Sequence, residues 1–308
     1  MFSLRPIRPV DFDEVAELIH LSTNAWYLQH HGCRAFTGRP EDCRIFCDVY
    51  EDLDPGAGLV AVHAGTQRIV GSCFVHPRET HISLGILNIH PSYFGRGIAG
   101  RFLDRIRDTA EEQNLPLRLV SSALNLDSFS LYSRAGFIPY QVFQDMLVRV
   151  PPRGLEVPED RELPSVREAE LADLIALGQL EFEVTGISRE KDYCYFLENP
   201  LGLWQTLVCE NGEGEIDGFL VSSDHPAASM IGPGATRTVE SFEALLRAQL
   251  DRFRGREVVF LLPSDQPDVV RVGYELGARN REIHFGQVIG EAQPIEGVFL
   301  PTFLPESA

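Results

Sequence analysis

One order of predicted helices and strands occurs twice along this chain of 308 residues. Pro91 follows a strand-like run in the first half, and Pro233 follows one in the second half. A glycine suited to end the last helix comes 45 residues after the first proline, at Gly136, and 44 residues after the second, at Gly277. Such regular spacing is typical of a duplicated structural unit, and it favours two like domains over two unrelated α/β domains with a similar order of elements.

Each unit is predicted to have an α/β fold. The apolar pattern of the first half gives the order β-α-α-β-β-β-α-β-α-β, which is typical of a mixed sheet flanked by helices. The first unit has 17 additional residues before its proline, around its two early helices. The segment 151–165 has four prolines among charged residues and is predicted to be a linker. We therefore expect one domain at 1–150 and a second at 166–308.

The acidic residues are concentrated in the second half. The formal net charge is −18, of which residues 1–150 contribute −3 and the remainder −15. This balance argues against nucleic-acid or anionic-membrane binding, since both need a positive surface, and it favours the first half for any anionic ligand. No apolar run reaches the roughly 18 residues of a membrane span, and the first residues lack a secretory signal pattern. A cytoplasmic location is therefore expected.

The six cysteines are ordinary usage for a reducing compartment. Cys43 and Cys47 lie four residues apart in a helical pattern, with His30, His31 and Cys33 nearby in the sequence. A zinc site can be drawn with these residues, but the chain has neither a C-x-x-C pair nor an H-x-x-x-H pair. Buried free thiols are the favoured interpretation, and no metal is expected.

A glycine-rich turn, FGRGIAG at 94–100, begins a helix in the first half. Backbone N–H groups at a helix N-terminus carry partial positive charge and have no partner within the helix. Glycines at Gly95, Gly97 and Gly100 let a pyrophosphate approach these amides, because no Cβ blocks it. Arg96 and Arg101 add positive charge. The turn is therefore a candidate anion site.

The same letters, G-x-G-x-x-G, occur in the dinucleotide-binding fingerprint. In that motif the first glycine follows its strand directly and an acidic residue ends the next strand. Here the segment HPSYF separates strand from glycine, and the next strand ends in Ser121 and Ser122. A nicotinamide or flavin cofactor is therefore disfavoured.

A larger part of the first half resembles the GNAT superfamily of N-acetyltransferases. The stretch ILNIHPSYFGRGIAGRFLDRI is similar to its acetyl-CoA motif, with Phe94-x-x-Gly97-x-Ala99 at the Q/R-x-x-G-x-G/A positions. The run Asn125-x-x-Ser128-x-x-x-Tyr132-x-x-x-Gly136-Phe137 looks like its second motif, and IRPVD at 7–11 resembles its first strand. Together these motifs span 7 to about 149. The resemblance implies tandem GNAT-like domains, each with a mixed, largely antiparallel sheet.

The resemblance also implies acetyl-CoA as cosubstrate and a role for individual residues. Leu87 and Ile89 would offer backbone groups to the pantetheine arm, Asn125 would hydrogen-bond the same arm, and Tyr132 would protonate the departing thiolate as general acid. The full set of predicted cofactor-binding residues is Leu87, Ile89, Gly95, Arg96, Gly97, Ile98, Ala99, Gly100, Arg101, Asn125 and Ser128. The predicted acceptor wall, in the early helices, comprises Trp26, Tyr27, His30 and His31.

Two departures from the family pattern leave a non-catalytic alternative open. Phe94 stands where the family has Gln or Arg, and no carboxylate lies on the strand 82–90 to deprotonate the amine. The candidates for a base are His81, His90 and Glu79, or a water held by Ser83 or Ser121. The two hypotheses are an N-acetyltransferase acting on a primary amine, small or on a peptide, by direct attack, and a GNAT scaffold that binds acyl-CoA without turnover.

The second unit lacks the residues of the glycine turn. By the same alignment Arg237, Val239 and Ser241 replace Gly95, Gly97 and Ala99, and Gly273 stands opposite Tyr132. This copy is expected not to bind acetyl-CoA, and either to shape the acceptor site or only to stabilise the fold. The chain is expected to be a monomer, as a pseudo-dimer of like domains, or a homodimer.

Overall fold

The computed structural model describes residues 1–155 and 162–307. Part of the predicted linker 151–165, residues 156–161, lies outside the described residues. In the first half the elements are β1 (Phe2–Pro6), α1 (Phe12–His31), α2 (Arg44–Leu53), β2 (Leu59–His63), β3 (Ile69–Pro77), β4 (Ile82–Ile89), α3 (Ile98–Gln113), β5 (Leu117–Ser122), α4 (Leu126–Ala135) and β6 (Ile138–Arg149).

The second half repeats this order. Its elements are β7 (Val166–Glu168), α5 (Leu174–Thr185), α6 (Glu190–Glu198), β8 (Trp204–Glu210), β9 (Ile216–Ser223), β10 (Met230–Thr236), α7 (Val239–Asp251), β11 (Glu257–Pro263), α8 (Pro267–Glu275) and β12 (Arg279–Ile289). Three short strands follow that the sequence did not predict, β13 (Val298–Leu300), β14 (Thr302–Phe303) and β15 (Glu306–Ser307). The predicted α/β fold with a mixed sheet flanked by helices is confirmed.

The two halves share one sheet and exchange their last strands. The strand order is β1-β2-β3-β4-β5-β12-β6-β11-β10-β9-β8-β7. β12 of the second half lies between β5 and β6, with Phe285 opposite Ser121, and β6 of the first half pairs with β11, with Met146 opposite Phe260. All pairs are antiparallel except β4–β5 and β10–β11. The two predicted domains therefore interlock at the centre of the sheet.

The core lies on both faces of this sheet. On the face covered by α1 and α2, Val15, Tyr50 and Phe74 pack in a cluster that continues across the exchange into Phe143 and Phe299. On the opposite face, α3 and the first-half strands form a separate cluster, and α7 and α8 form another over the second half. The shared cluster fixes the α1–α2 face of the first half against the second half. Within the described residues, no helix combines the length and apolarity needed to cross a bilayer.

Candidate functional site

A gap opens in the sheet between β4 and β5. These two strands, both fully described, pair in parallel only at Ile82–Leu117 and Ser83–Arg118. The β3–β4 register shifts between Cys73 and Val75, so that β4 has a bulge at Gly85 and Ile86. Beyond this bulge β4 stays paired with β3 and leaves β5. The result is a cleft whose walls carry backbone groups without a strand partner.

Leu87 and Ile89 turn their backbone groups toward this cleft. The N–H of His90 donates to the carbonyl of Val70 over 3.0 Å, so His90 and Val70 form a hydrogen-bonded pair of the β3–β4 ladder. Because such pairs alternate in antiparallel sheets, the backbone groups of Leu87 and Ile89 face away from β3. The carbonyl of Ile89 accepts a hydrogen bond from Ser22 Oγ at 2.8 Å. The N–H and C=O of Leu87 and the N–H of Ile89 therefore fit an amide-containing chain.

The glycine turn lies beyond the end of β4 and is open. Gly95 and Gly97 have φ values of +74° and +75°, in the left-handed region that favours glycine. A Cβ at Gly95, Gly97 or Gly100 would meet no atom within 4 Å. Gly97 is the N-cap of α3 and no side chain caps this end. The first-turn amides of α3, at Ile98 and Ala99, therefore have no capping side chain.

The two arginines of the turn lie over aromatic rings. Arg96 lies 5.0 Å from the ring centre of Tyr93, and Arg101 lies 4.8 Å from that of Phe2. Among the described residues neither guanidinium forms an ion pair with a carboxylate, so both charges are available to a phosphate. Phe94 is 51% exposed.

The second predicted motif lies on α4. Asn125 is the N-cap, and its Oδ1 accepts the Ser128 N–H at 3.0 Å, which leaves the Asn125 Nδ2 amide as a donor. Tyr132 is half-buried, and its ring centre lies 5.8 Å from that of Phe137 in an edge-on arrangement. Its hydroxyl has no hydrogen-bond partner in the part of the chain that the structure describes. Burial, and then the nearby groups Cys73 and Glu306, raise the pKa of Tyr132, so the phenol keeps its proton.

The predicted acceptor residues form an aromatic cluster at the end of α1. Trp26 stacks on His30 at 4.6 Å and contacts Tyr27 and His31 at 5.2 and 5.1 Å. Trp26 and Tyr27 are half-buried, whereas His30 and His31 are exposed. The Tyr27 hydroxyl donates to Glu282 Oε1 over 3.0 Å. The structure thus brings these four residues together and ties them to β12 of the second half.

Sequence reasoning missed a buried polar cluster beside this contact. Asp145 of β6 and Glu282 and His284 of β12 place their ligand atoms within 4.8 Å of one another. Burial raises the pKa of Asp145 to about 7; the charge of Arg281 opposes this rise, and the charge of Glu282 adds to it. Burial lowers the pKa of His284 to about 4. Two carboxylates and an imidazole can hold a cation, and only the strand exchange brings them together.

The three predicted side-chain bases lie in different surroundings. His81 is buried, and burial with the charges of Arg118 and other arginines holds its pKa well below the usual range. Glu79 is exposed and precedes β4. His90 follows β4, and its Nδ1 accepts the Ser92 N–H at 3.2 Å.

The two serines proposed to hold a water differ. Ser121 Oγ donates to Gln287 Oε1 of β12 at 2.8 Å, so its proton is already used. Ser83 Oγ is buried and has no partner within the described residues. Cys43 and Cys47 are buried free thiols, as expected, and burial raises the pKa of Cys43 to about 12. Cys33 is exposed. The expectation of no metal stays a prediction.

The corresponding cleft of the second half is filled by its own chain. β10 and β11 pair in parallel only at Met230–Val259 and Ile231–Phe260, as β4 and β5 do. β13 then pairs antiparallel with β10, with Ala235 opposite Phe299. The N-terminus of α7 is also capped, since Thr238 Oγ1 accepts the Ser241 N–H at 3.2 Å. In the second half, β13 therefore lies along the part of β10 that β11 leaves, and Thr238 caps the first turn of α7.

Comparison with known proteins agrees with this geometry. A model of the acetyltransferase (GNAT) family matches residues 19–137. No curated protein matches the chain. A solved structure of a putative acetyltransferase from Pyrococcus horikoshii superposes with a TM-score of 0.77 at 15% identity, over 99% of this chain and 96% of that one.

Two further solved structures have the same fold over most of this chain. A tandem GNAT protein from the clavulanic acid biosynthesis pathway has a TM-score of 0.63 at 15% identity, over 95% of this chain and all of the other. N-myristoyltransferase of Saccharomyces cerevisiae, solved with bound myristoyl-CoA and inhibitors, has a TM-score of 0.59 at 11% identity, over 95% of this chain and 81% of that one. Residues 19–137 therefore match the GNAT family model, and the chain has the fold of tandem GNAT proteins over its described length.

Proposed function

We propose that the chain transfers an acetyl group from acetyl-CoA to a primary amine by direct attack, in the β4–β5 cleft of its first half. The observation that carries this proposal is the open glycine turn at the end of the β4–β5 cleft. The corresponding cleft of the second half is instead closed by β13. A turn with free amides and two arginines fits a pyrophosphate. A cleft with the backbone groups of Leu87 and Ile89 fits the amide-containing arm.

The chain's own residues would hold the cosubstrate at three levels of the cleft. The first-turn amides of α3, with Arg96 and Arg101, would bind the phosphates. Leu87, Ile89 and the Asn125 Nδ2 amide would bind the arm, and Tyr132 lies deeper, close enough to Glu306 for its pKa to respond. Acetyl-CoA supplies the activated acyl carbon as a thioester. Holding amine and thioester in one geometry provides much of the rate.

Tyr132 is proposed as the general acid. As the amine attacks, the C–S bond breaks and the departing thiolate needs a proton. The Tyr132 hydroxyl is protonated, faces no competing partner among the described residues, and lies on the helix that follows β5. A positioned acid of this kind contributes roughly 10²- to 10⁴-fold to the rate.

The acceptor is proposed to enter on the face covered by α1 and α2. Trp26, Tyr27, His30 and His31 would form one wall, and the carboxylate of Glu282 favours an acceptor that carries positive charge, as a primary amine does. The exchange of β6 and β12 completes the sheet within one chain, which supports a monomeric pseudo-dimer. A cytoplasmic location accords with this chemistry and remains part of the proposal.

Binding without turnover is the second candidate, and the exposed Phe94 and the lack of a carboxylate on β4 favour it. A thermal-shift titration with acetyl-CoA tests binding, because ligand at about 100 times its dissociation constant adds about 2.7 kcal/mol to the free energy of unfolding. Thiol release from acetyl-CoA with ethanolamine, glucosamine, spermidine and a tetrapeptide as acceptors tests turnover. A thermal shift without thiol release would favour the binding protein, and no thermal shift at millimolar acetyl-CoA would contradict both candidates.

The variant Tyr132→Phe tests the acid directly. We expect thiol release to fall about 100-fold while the acetyl-CoA thermal shift stays unchanged. The matched control is Tyr274→Phe, which removes an exposed phenol from α8, the second-half counterpart of α4. Equal turnover of the wild type and Tyr132→Phe would remove Tyr132 from the mechanism.

A further inference from the structure

The hairpin of β14 and β15 places a carboxylate against the α2 side of the cleft. After β13 closes the second-half gap, the chain crosses to the first half, where Phe303 pairs with Glu306 across the hairpin. The Tyr50 hydroxyl of α2 contacts both strands, at 3.0 Å from the Phe303 carbonyl and 2.5 Å from Glu306 Oε2. The Glu306 side chain is only 11% exposed.

This carboxylate occupies the space in front of the β4 bulge. A Cβ added at Gly85 would lie 3.1 Å from Glu306 Oε2. Gly85 is two residues past Ser83, the last residue of β4 that pairs with β5. Glu306 therefore puts a carboxylate where a side chain from the middle of β4 would point. The sequence of β4 offers none.

Glu306 lies close enough to the proposed acid to affect it. Burial is the main cause of the raised pKa of Tyr132, and the Cys73 and Glu306 charges add to it. Glu306 has the same effect on the Cys73 thiol, whose pKa burial also raises. The proposed acid and this carboxylate thus share one cleft, with Glu306 on the side from which the acceptor is proposed to enter.

A second group of residues lies behind the carboxylate. His76 Nε2 is 3.8 Å from Glu306 Oε2, and His76 Nδ1 is 2.9 Å from Asp54 Oδ2. Asp54 is held in turn by Arg78 at 2.9 Å and Lys191 at 2.6 Å. Burial opposes the charge on His76, but its contacts with Asp54 and Glu306 outweigh this and raise its pKa. His76 therefore places positive character next to Glu306 Oε2.

We propose that Glu306 is the general base that takes a proton from the acceptor ammonium, with Tyr50 and the His76–Asp54 pair as positioning residues. This inference rests on the proposed acetyltransferase function. The ammonium gives one proton to a Glu306 oxygen, and the freed nitrogen lone pair forms the C–N bond to the acyl carbon. The C–S bond breaks, and the thiolate takes the Tyr132 proton. The second nitrogen proton restores the phenol, and Glu306 releases its proton to solvent.

The test compares Glu306→Gln and Glu306→Asp with wild type over pH 6.5–9.5, with acetyl-CoA and the four amines named above. Glutamine keeps an acceptor for the Tyr50 hydroxyl but cannot take a proton. We expect thiol release by Glu306→Gln to fall about 100-fold at pH 7. This deficit should shrink as the amine loses its own proton at high pH. Thiol release by Glu306→Asp, which keeps the carboxylate, should lie between that of the wild type and that of Glu306→Gln.

Two controls separate a chemical role from a structural one. Glu291→Gln removes an exposed carboxylate from the segment after β12 and should match the wild type at every pH. The acetyl-CoA thermal shift of Glu306→Gln should equal that of the wild type. If Glu306→Gln shows no deficit in thiol release, or the same deficit at every pH, Glu306 is not the base, while the proposed acetyltransferase function still stands. Absence of thiol release from the wild type would overturn the proposed function and this inference with it.

Discussion

Asp145 gives the sharpest prediction for the stability of the fold. It is 4% exposed on β6, its Oδ1 has no partner in the described part of the chain, and its pKa is raised from 3.8 to about 7. Between these values the folded state holds a proton that the unfolded state has lost. The free energy of unfolding therefore falls as the pH rises through this window. At about 1.4 kcal/mol per unit, a shift of about three units corresponds to roughly 4 kcal/mol.

Asp145→Asn removes this titration because asparagine has the shape of the protonated carboxyl and does not ionise. About two of these three units fall between pH 5 and pH 8, so urea denaturation at these two pH values should show that Asp145 costs the wild type about 2 to 3 kcal/mol. The loss between the two pH values should be smaller in Asp145→Asn by about that amount. Asp108→Asn, at an exposed position on α3, should behave as the wild type does. Equal pH dependence in Asp145→Asn and wild type would refute the assignment of a raised pKa to this side chain.

Three further predictions concern the buried ion pair and the cleft. Glu181→Gln should cost about 3 to 5 kcal/mol in urea denaturation, because Arg189 and Glu181 are both fully buried and the guanidinium would lose its charged partner; a loss under 1 kcal/mol would contradict this. Gly97→Val should raise the dissociation constant for acetyl-CoA at least tenfold in isothermal titration. Gly214→Val, with a similar φ of +82° in the second half, should leave it unchanged; equal constants would contradict the role of the turn. The same titration should give one acetyl-CoA per chain, and two would contradict the closure of the second cleft by β13.

The local features of the site could be predicted from the sequence because each depends on residues close together in the chain. The glycine turn at 94–100 and the helix end at Gly136 lie within single strand–turn–helix units, where spacing and residue type determine the backbone. The repeat itself also appears as spacing. For these features the sequence pattern and the structure agree in position.

The contacts that define the acceptor side could not be predicted in the same way. Tyr27 and Glu282 are 255 residues apart, and they meet only because β12 inserts between β5 and β6. With the exchange, β5 and β6 each have β12 as an antiparallel neighbour in place of one another. The alternation of apolar residues that each strand needs is the same with either neighbour, so the sequence pattern does not reveal the exchange. Glu306 follows β13, a three-residue strand that is too short to show periodicity. The pairing of distant strands and the presence of very short strands therefore could not be predicted from the sequence.

The exchange also bears on why a second half without an anion site is retained. β12 is the direct neighbour of β5, which is one wall of the cleft, and its Glu282 accepts hydrogen bonds from both Tyr27 and Ser122. The tail that closes the second cleft as β13 continues to Glu306 in the first. A role in stability alone would be met by apolar contacts, which the shared core already provides. Because the second half instead places carboxylates on the side where the acceptor is proposed to enter, we infer that it helps to shape the proposed acceptor site of the first half.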